Sequence, residues 1–201
     1  LSQSNVNTSP EQAVNFEIGG RIDSADKRFT TRFALFRSTK LHERNTDPLV
    51  NLTTLSGKRH VAGVEIDITG RLTPKWELFG SYMWLPVANI DTPVTGGETG
   101  RPSLTPKHSG TIWTTYQITP LWRIGGGLNF RGEQTPNRNP GWSVPAFVTA
   151  DLMAEYTLDQ NITLKANLSN VTNKLYADQL YSGHYIPGAG RVFQLTASLK
   201  F

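Results

Sequence analysis

An all-β, antiparallel transmembrane barrel is the fold class this sequence predicts, on three observations. Apolar and polar residues alternate with period two in segment after segment, the segments are too long for soluble strands, and their connections alternate short and long. Composition agrees. Of 201 residues only 18% are charged, and the net charge of +4 is spread among acidic residues. No basic stripe with interleaved aromatics occurs, so nucleic acid is not an expected partner. No run of about 20 apolar residues exists, which excludes a spanning helix but leaves a spanning strand open. The absence of cysteine removes disulfides, thiolate metal sites and thiol nucleophiles.

Period-two alternation points successive side chains to opposite faces. In Gln12–Asp23, Val14, Phe16, Ile18 and Ile22 oppose Asn15, Glu17 and Arg21. Residues 28–39 align Phe29, Phe33 and Leu35, and residues 58–72 set Ala62, Val64, Ile66 and Ile68 against Glu65 and Asp67. Residues 76–87 align Trp76, Leu78, Tyr82 and Trp84. Residues 107–118 are less regular, because Trp113 falls on the opposite parity from Ile112 and Tyr116. Residues 121–132 set Trp122, Ile124, Leu128 and Phe130 against Arg123, Asn129 and Arg131. Residues 147–158 align Val148, Ala150, Leu152, Ala154, Tyr156 and Leu158, and residues 161–171 align Ile162, Leu164, Ala166 and Leu168. The last segment, 191–201, places Phe193, Leu195, Ala197, Leu199 and Phe201 on one wholly apolar face.

These nine segments run about 10 to 15 residues, whereas soluble strands average about five or six and a tilted membrane strand needs about 9 to 11. The connections 24–27, 73–75, 119–120 and 159–160 are short, and 40–57, 88–106, 133–144 and 172–190 are long. An outer-membrane barrel has tight periplasmic turns and long extracellular loops; a sandwich has no reason for the alternation. The final strand then runs inward and ends at Phe201. An odd strand number cannot close a single-chain bacterial barrel, and open edges are costly in lipid. The chain also starts without an initiator Met or a signal peptide. The expectation is therefore the C-terminal portion of a larger barrel, with further protein upstream.

Several stretches resemble the TonB-dependent siderophore receptors. Residues 57–67 carry Arg59, Gly63, Val64 and Glu65 in the order of that family's R-x-x-G-V-E strand, with one extra residue before the glycine. Residues 167–176 match its N-x-x-N-L-x-(D/N)-K-x-Y signature through Asn167, Asn170, Asn173, Lys174 and Tyr176, with Val171 for Leu. Residues 187–191 resemble the segment before its last strand, with Gly190 where Pro is common, and Phe201 matches the terminal aromatic read by the barrel-assembly machinery. Residues 82–90 and 134–142 look closest to the catecholate-receptor branch. The resemblance implies a 22-stranded barrel in the bacterial outer membrane. This chain (1–201) would supply its last nine strands, while the plug domain and the TonB box lie outside it. It implies a ferric siderophore as transported ligand, outer-membrane lipid and the TonB complex as partners, no enzymatic activity and no cofactor held by the chain.

No catalytic constellation is present. His42, His60, His108 and His184 lack metal-pair spacing and read as isolated loop or rim residues. Gly125, Gly126 and Gly127 precede no helix and read as strand glycines at a bend or close approach. Trp76, Trp122 and Tyr156 suit the periplasmic aromatic girdle and Trp84 the outer one. Trp142, Tyr176, Tyr181 and Tyr185 sit in long outer loops, where rings could stack on a catecholate, and Arg131, Arg138 and Arg191 are the nearest cations for its negative charge. The ligand-binding candidates are thus Arg131, Arg138, Trp142, Tyr176, Tyr181 and Tyr185. A passive porin is the second reading, and a soluble all-β binding module the third.

Overall fold

The computed structural model describes residues 10–46, 53–92, 99–136, 141–181 and 183–201. Its strands are β1 (Gln12–Asp23), β2 (Phe29–Thr46), β3 (Thr53–Thr73), β4 (Trp76–Thr92), β5 (His108–Gln117), β6 (Trp122–Arg131), β7 (Phe147–Thr157), β8 (Ile162–Ser169), β9 (Ala177–Leu180), β10 (Tyr185–Pro187) and β11 (Val192–Leu199). Nine of them form one sheet in the order β1-β2-β3-β4-β5-β6-β7-β8-β11, and β9 and β10 form a separate hairpin inside the last loop. Every pairing is antiparallel, so the nine expected segments are the nine strands of one up-and-down meander.

The registers carry one apolar face across the whole sheet. Ile18 lies beside Leu35, Leu35 beside Val64, and Val64 beside Trp84. Ile112 pairs with Leu128, Leu128 with Ala150, Leu152 with Leu168, and Leu168 with Phe193. These side chains stay open: Phe16 is 70% exposed, Ile18 73% and Leu195 71%. A water-soluble sheet would have to cover such a stripe; lipid covers it without further protein. Eight residue steps from Trp76 to Trp84, at about 3.3 Å each and tilted by about 40°, rise about 20 Å, near the roughly 25 Å apolar band of outer-membrane barrels. Aromatics mark its lower border, where the Trp122 and Tyr156 rings lie 4.7 Å apart and Trp76 Nε1 donates to Thr114 Oγ1 at 2.6 Å.

The other face is a polar ladder. Arg71 pairs with Glu77 at 3.0 Å, and Arg123 bridges Glu77 at 3.8 Å and Glu155 at 3.1 Å. Higher up, Thr111 Oγ1 donates to Asn129 Oδ1 at 2.8 Å and Asn129 Nδ2 donates to Asp151 at 3.0 Å. Trp113 belongs to this face, opposite Gly127, where a Cβ would overlap its indole. Its irregular parity thus has a steric cause: the glycine in β6 leaves room for a large ring on the wet side.

Two expectations about the loops are corrected. Residues 40–57 are not all loop, because β2 and β3 run 18 and 21 residues, pairing Lys40 with Arg59 and Asn45 with Thr54. From Leu35 to Thr46 the hairpin projects on the order of 25 Å past the apolar band. β4 likewise continues to Thr92, with His60 opposite Asn89. Above the band water bathes both faces, so no alternation was available to mark these strand ends. β4 gains one residue against β3 between Trp84 and Val87. Pro86, which has no N–H to donate, sits in that bulge. Arg101 holds the bulge by donating to the Leu85 carbonyl at 2.7 Å. Opposite it, a Cβ on Gly63 would meet the Trp84 carbonyl and the Phe36 ring, which gives the glycine of the 59–65 motif a packing reason.

The short turns are closed by side chains. Asp26 accepts from Ser24 Oγ at 2.5 Å and from Arg28 Nε at 2.6 Å, which holds its carboxyl down at about 2. Asp159 accepts the Asn161 and Ile162 amides at 2.8 and 2.9 Å.

Candidate functional site at the outer mouth

Most of the candidate residues gather where β6 ends, β7 begins and the last long loop folds back. Arg131 closes β6 with Phe147 of β7 as its direct neighbour. The Arg131 guanidinium carbon lies 5.4 Å above the Phe147 ring, and Nη1 donates to the Asp178 carbonyl at 2.9 Å. The Tyr176 ring lies 4.4 Å from Phe147, tilted by 32°. Gly188 also lies against the Tyr176 ring, where a Cβ would overlap it. Guanidinium, phenyl and phenol are thus in mutual contact through Phe147 at the loop base. Partial burial and the nearby Asp178 and Asp151 charges raise the Tyr176 hydroxyl above its ordinary range, so it stays neutral at physiological pH.

The loop base is folded by the asparagines of the 167–176 motif. Asn170 and Asn173 adopt left-handed backbone, with φ of 47° and 53°, which asparagine tolerates better than most residues. Asn170 is 4% exposed. Its Nδ2 donates to the Lys174 and Ala189 carbonyls, both at 2.9 Å, and its Oδ1 accepts the Lys174 amide at 2.8 Å. Asn173 Oδ1 accepts the Arg191 amide at 2.9 Å. Both arms of the loop are thus tied together below the β9–β10 hairpin, whose tip is closed by Tyr181 donating to the His184 carbonyl at 2.9 Å. The Tyr181 and His184 rings stack 4.7 Å apart at 10°.

Between this hairpin and residues 142–147 lies a cleft of about 490 Å³, lined by Trp142, Phe147, Tyr176, Tyr181, His184 and Tyr185 among others. Four of the six sequence-derived candidates, Trp142, Tyr176, Tyr181 and Tyr185, are therefore brought together. Arg131 does not line this cleft; it lines a neighbouring cavity of about 330 Å³ with Phe147, Tyr176 and Asp151, and another of about 480 Å³ with Asp178 and Tyr181. Arg138 lies outside the described residues. Arg191 joins the loop base through its backbone N–H. Phe201 is fully exposed beyond the end of β11.

Sequence reading missed Phe147 and His184. Phe147 falls on the polar parity of β7, which hid it, while His184 stands in sequence between Tyr181 and Tyr185, a pattern that could have found it. Two of the other histidines are engaged as well: His60 Nδ1 is 2.8 Å from Asp91, and His108 Nδ1 is 2.8 Å from the Tyr82 hydroxyl. Among the described residues, no group of three or more His, Asp or Glu side chains gathers to hold a metal ion.

A family model described as TonB dependent receptor-like, beta-barrel matches residues 1–171. The chain is similar to the probable TonB-dependent receptor BfrD of Bordetella pertussis, at 31% identity over 214 residues covering 100% of this chain and 28% of that protein. It is similar to the catecholate siderophore receptor Fiu of Escherichia coli K12, at 31% identity over 210 residues covering 100% of this chain and 27% of that protein. The crystal structure of the siderophore receptor PiuA from Acinetobacter baumannii superposes with a TM-score of 0.91 at 28% identity, covering 100% of this chain and 30% of that one. The chain thus spans less than a third of the length of these relatives.

Proposed function

The chain belongs to the TonB-dependent receptor-like β-barrel family of the outer membrane, and from that membership we propose that it forms part of a TonB-energised transporter for ferric siderophores, of the catecholate class. The observation that carries the reading is the aromatic cleft at the outer mouth: Trp142, Tyr176, Tyr181 and Tyr185 offer ring faces to a ligand that carries rings. Arg131, which stacks on Phe147 of the cleft, and Arg138 supply cations for the charge on the iron complex. The names of two relatives, a catecholate siderophore receptor and a siderophore receptor, support the ligand class.

The apolar face contacts outer-membrane lipid and the polar ladder lines the lumen. On this reading residues 1–201 supply nine strands of a 22-stranded barrel that also holds a plug and a TonB box. Phe201 serves the barrel-assembly machinery. Iron arrives as cargo, no bond is broken, and no cofactor is held by the chain. Family membership favours this reading over a passive porin.

The test is iron uptake by the full-length receptor, expressed in an iron-starved strain lacking its own copy. Ferric catecholates should enter in a receptor-dependent way and ferric hydroxamates should not. Uptake of hydroxamates alone would overturn the ligand class, and uptake of neither would overturn the transporter reading.

A further inference from the structure

We infer that Arg37 and Arg191 hold phosphate groups of lipid in the outer leaflet, at the upper border of the apolar face. Both continue the outward parity of their strands: Arg37 stands two residues above Leu35 in β2, and Arg191 two above Phe193, just before β11. Arg37 lies beside Phe16 and Ala62 of the neighbouring strands, on that same face. From Phe29 to Arg37, and from Leu199 to Arg191, the chain takes eight residue steps, as it does from Trp76 to Trp84. At about 3.3 Å per step and a tilt of about 40°, each run rises about 20 Å, so both arginines stand at the headgroup level of the outer side. The inner border of the face carries the rings of Trp76, Trp122 and Tyr156 instead.

Their pairing argues the same. On the lumen side Arg59 pairs with Glu43, Arg71 with Glu77, and Arg123 with Glu77 and Glu155. Arg37 and Arg191 are exposed, and among the described residues no carboxylate pairs with either. Asp91, higher on the outward face, is engaged by His60 Nδ1 at 2.8 Å. An unpaired guanidinium beside lipid is costly unless the membrane brings its counter-ion. A phosphate does so: the planar fork of donors matches its oxygens two at a time, while the arginine stem lies along the acyl chains. Thr39, two residues above Arg37, adds a hydroxyl on the same parity. Arg191 also joins the foot of the last loop through its amide bond to Asn173, so lipid held there braces that loop from outside. The inference needs only the wall and its membrane, and stands whatever the cargo.

Native mass spectrometry on the purified full-length receptor in detergent tests this, with dioleoyl phosphatidate as the probe and dioleoylglycerol as the same lipid without its phosphate. The receptor should hold phosphatidate about fivefold more tightly than dioleoylglycerol. Arg37→Gln and Arg191→Gln should each hold one tight phosphatidate fewer, and the double variant two fewer, with affinity at those sites falling to the level of dioleoylglycerol. Retention of dioleoylglycerol should stay the same in every variant. Arg32→Gln removes a lumen-side cation of the same strand, beside Asp67, and should leave phosphatidate binding intact. Added inorganic phosphate should not displace the lipid, because the acyl chains anchor it. Equal retention of the two lipids, unchanged phosphatidate in the Arg37 and Arg191 variants, an equal loss in Arg32→Gln, or displacement by inorganic phosphate would each overturn the inference.

Discussion

Replacing Asn170 by alanine should release the last outer loop without loosening the barrel wall. The asparagine side chain makes three hydrogen bonds, to the Lys174 amide, the Lys174 carbonyl and the Ala189 carbonyl, at 4% exposure. Each bond contributes about 1 kcal/mol net, and partners left buried without one cost about 1 to 3 kcal/mol before water reaches them. The φ of 47° adds about 1 kcal/mol for alanine, whose Cβ crowds the next carbonyl in left-handed backbone. The sum, about 3 to 4 kcal/mol, corresponds to a factor of about 10² to 10³ in the local opening equilibrium. Hydrogen exchange on the full-length receptor reads it residue by residue. The amides of Lys174, Gly188 and Arg191, bonded to Asn170 Oδ1, the Tyr176 carbonyl and Asn173 Oδ1, should lose protection by that factor. The amide of Leu168, paired with Phe193 in the wall, should not change. Asn170→Gly loses the same bonds but accepts the backbone, so its loss should be smaller by about 1 kcal/mol. Unchanged exchange at Lys174 and Arg191, or an equal rise throughout β8, would refute the reasoning.

Charge placement on β6 should separate the two faces: Leu128→Lys, on the apolar face near the middle of the strand, should cost about 2 to 4 kcal/mol in urea unfolding from liposomes, against less than about 1 kcal/mol for Asn129→Lys. The Asn129 side chain already reaches Asp151, with which a lysine there could pair. Gly127→Val should cost about 1 to 3 kcal/mol by overlap with the Trp113 ring and the Ile112 carbonyl, and Trp113→Ala in the same protein should recover part of it. The turn at Asp26 has a defined pH window: its folded value of about 2 lies below the ordinary 3.8, so its support is complete above the ordinary value and fades as pH falls through about 2. The Arg28 and Phe29 amide resonances in micelles should hold steady from neutral pH down to about 4 and move only below it, and Asp26→Asn should abolish the step.

Most of the wall was legible because the bilayer imposes it. Where lipid lies on one side and water on the other, each strand must alternate, and β1 through β8 and β11 do so, with Trp113 breaking the parity of β5. The pattern fails where that constraint lapses. Residues 40–46 and 53–57 carry only Leu41 and Leu55 as large apolar residues among polar ones, so no apolar stripe marks them as strand. The β9–β10 hairpin is too short to show a period, and its fold depends on Asn170 and Asn173, which act at a distance in sequence. Tyr176, read as a ligand contact, both lines the cleft and supports the loop by covering Phe147 and Gly188. Arg131 is among the cations nearest the loop aromatics in sequence, but its bond to the Asp178 carbonyl, across 47 residues, and its contact with the Phe147 ring are visible only in the structure.

Energised uptake is the most direct test of the account. With the full-length receptor expressed in iron-starved cells, accumulation of a labelled ferric catecholate should require the receptor and collapse when TonB is deleted. Uptake that continues at the same rate without TonB would contradict it and return the chain to the class of passive pores.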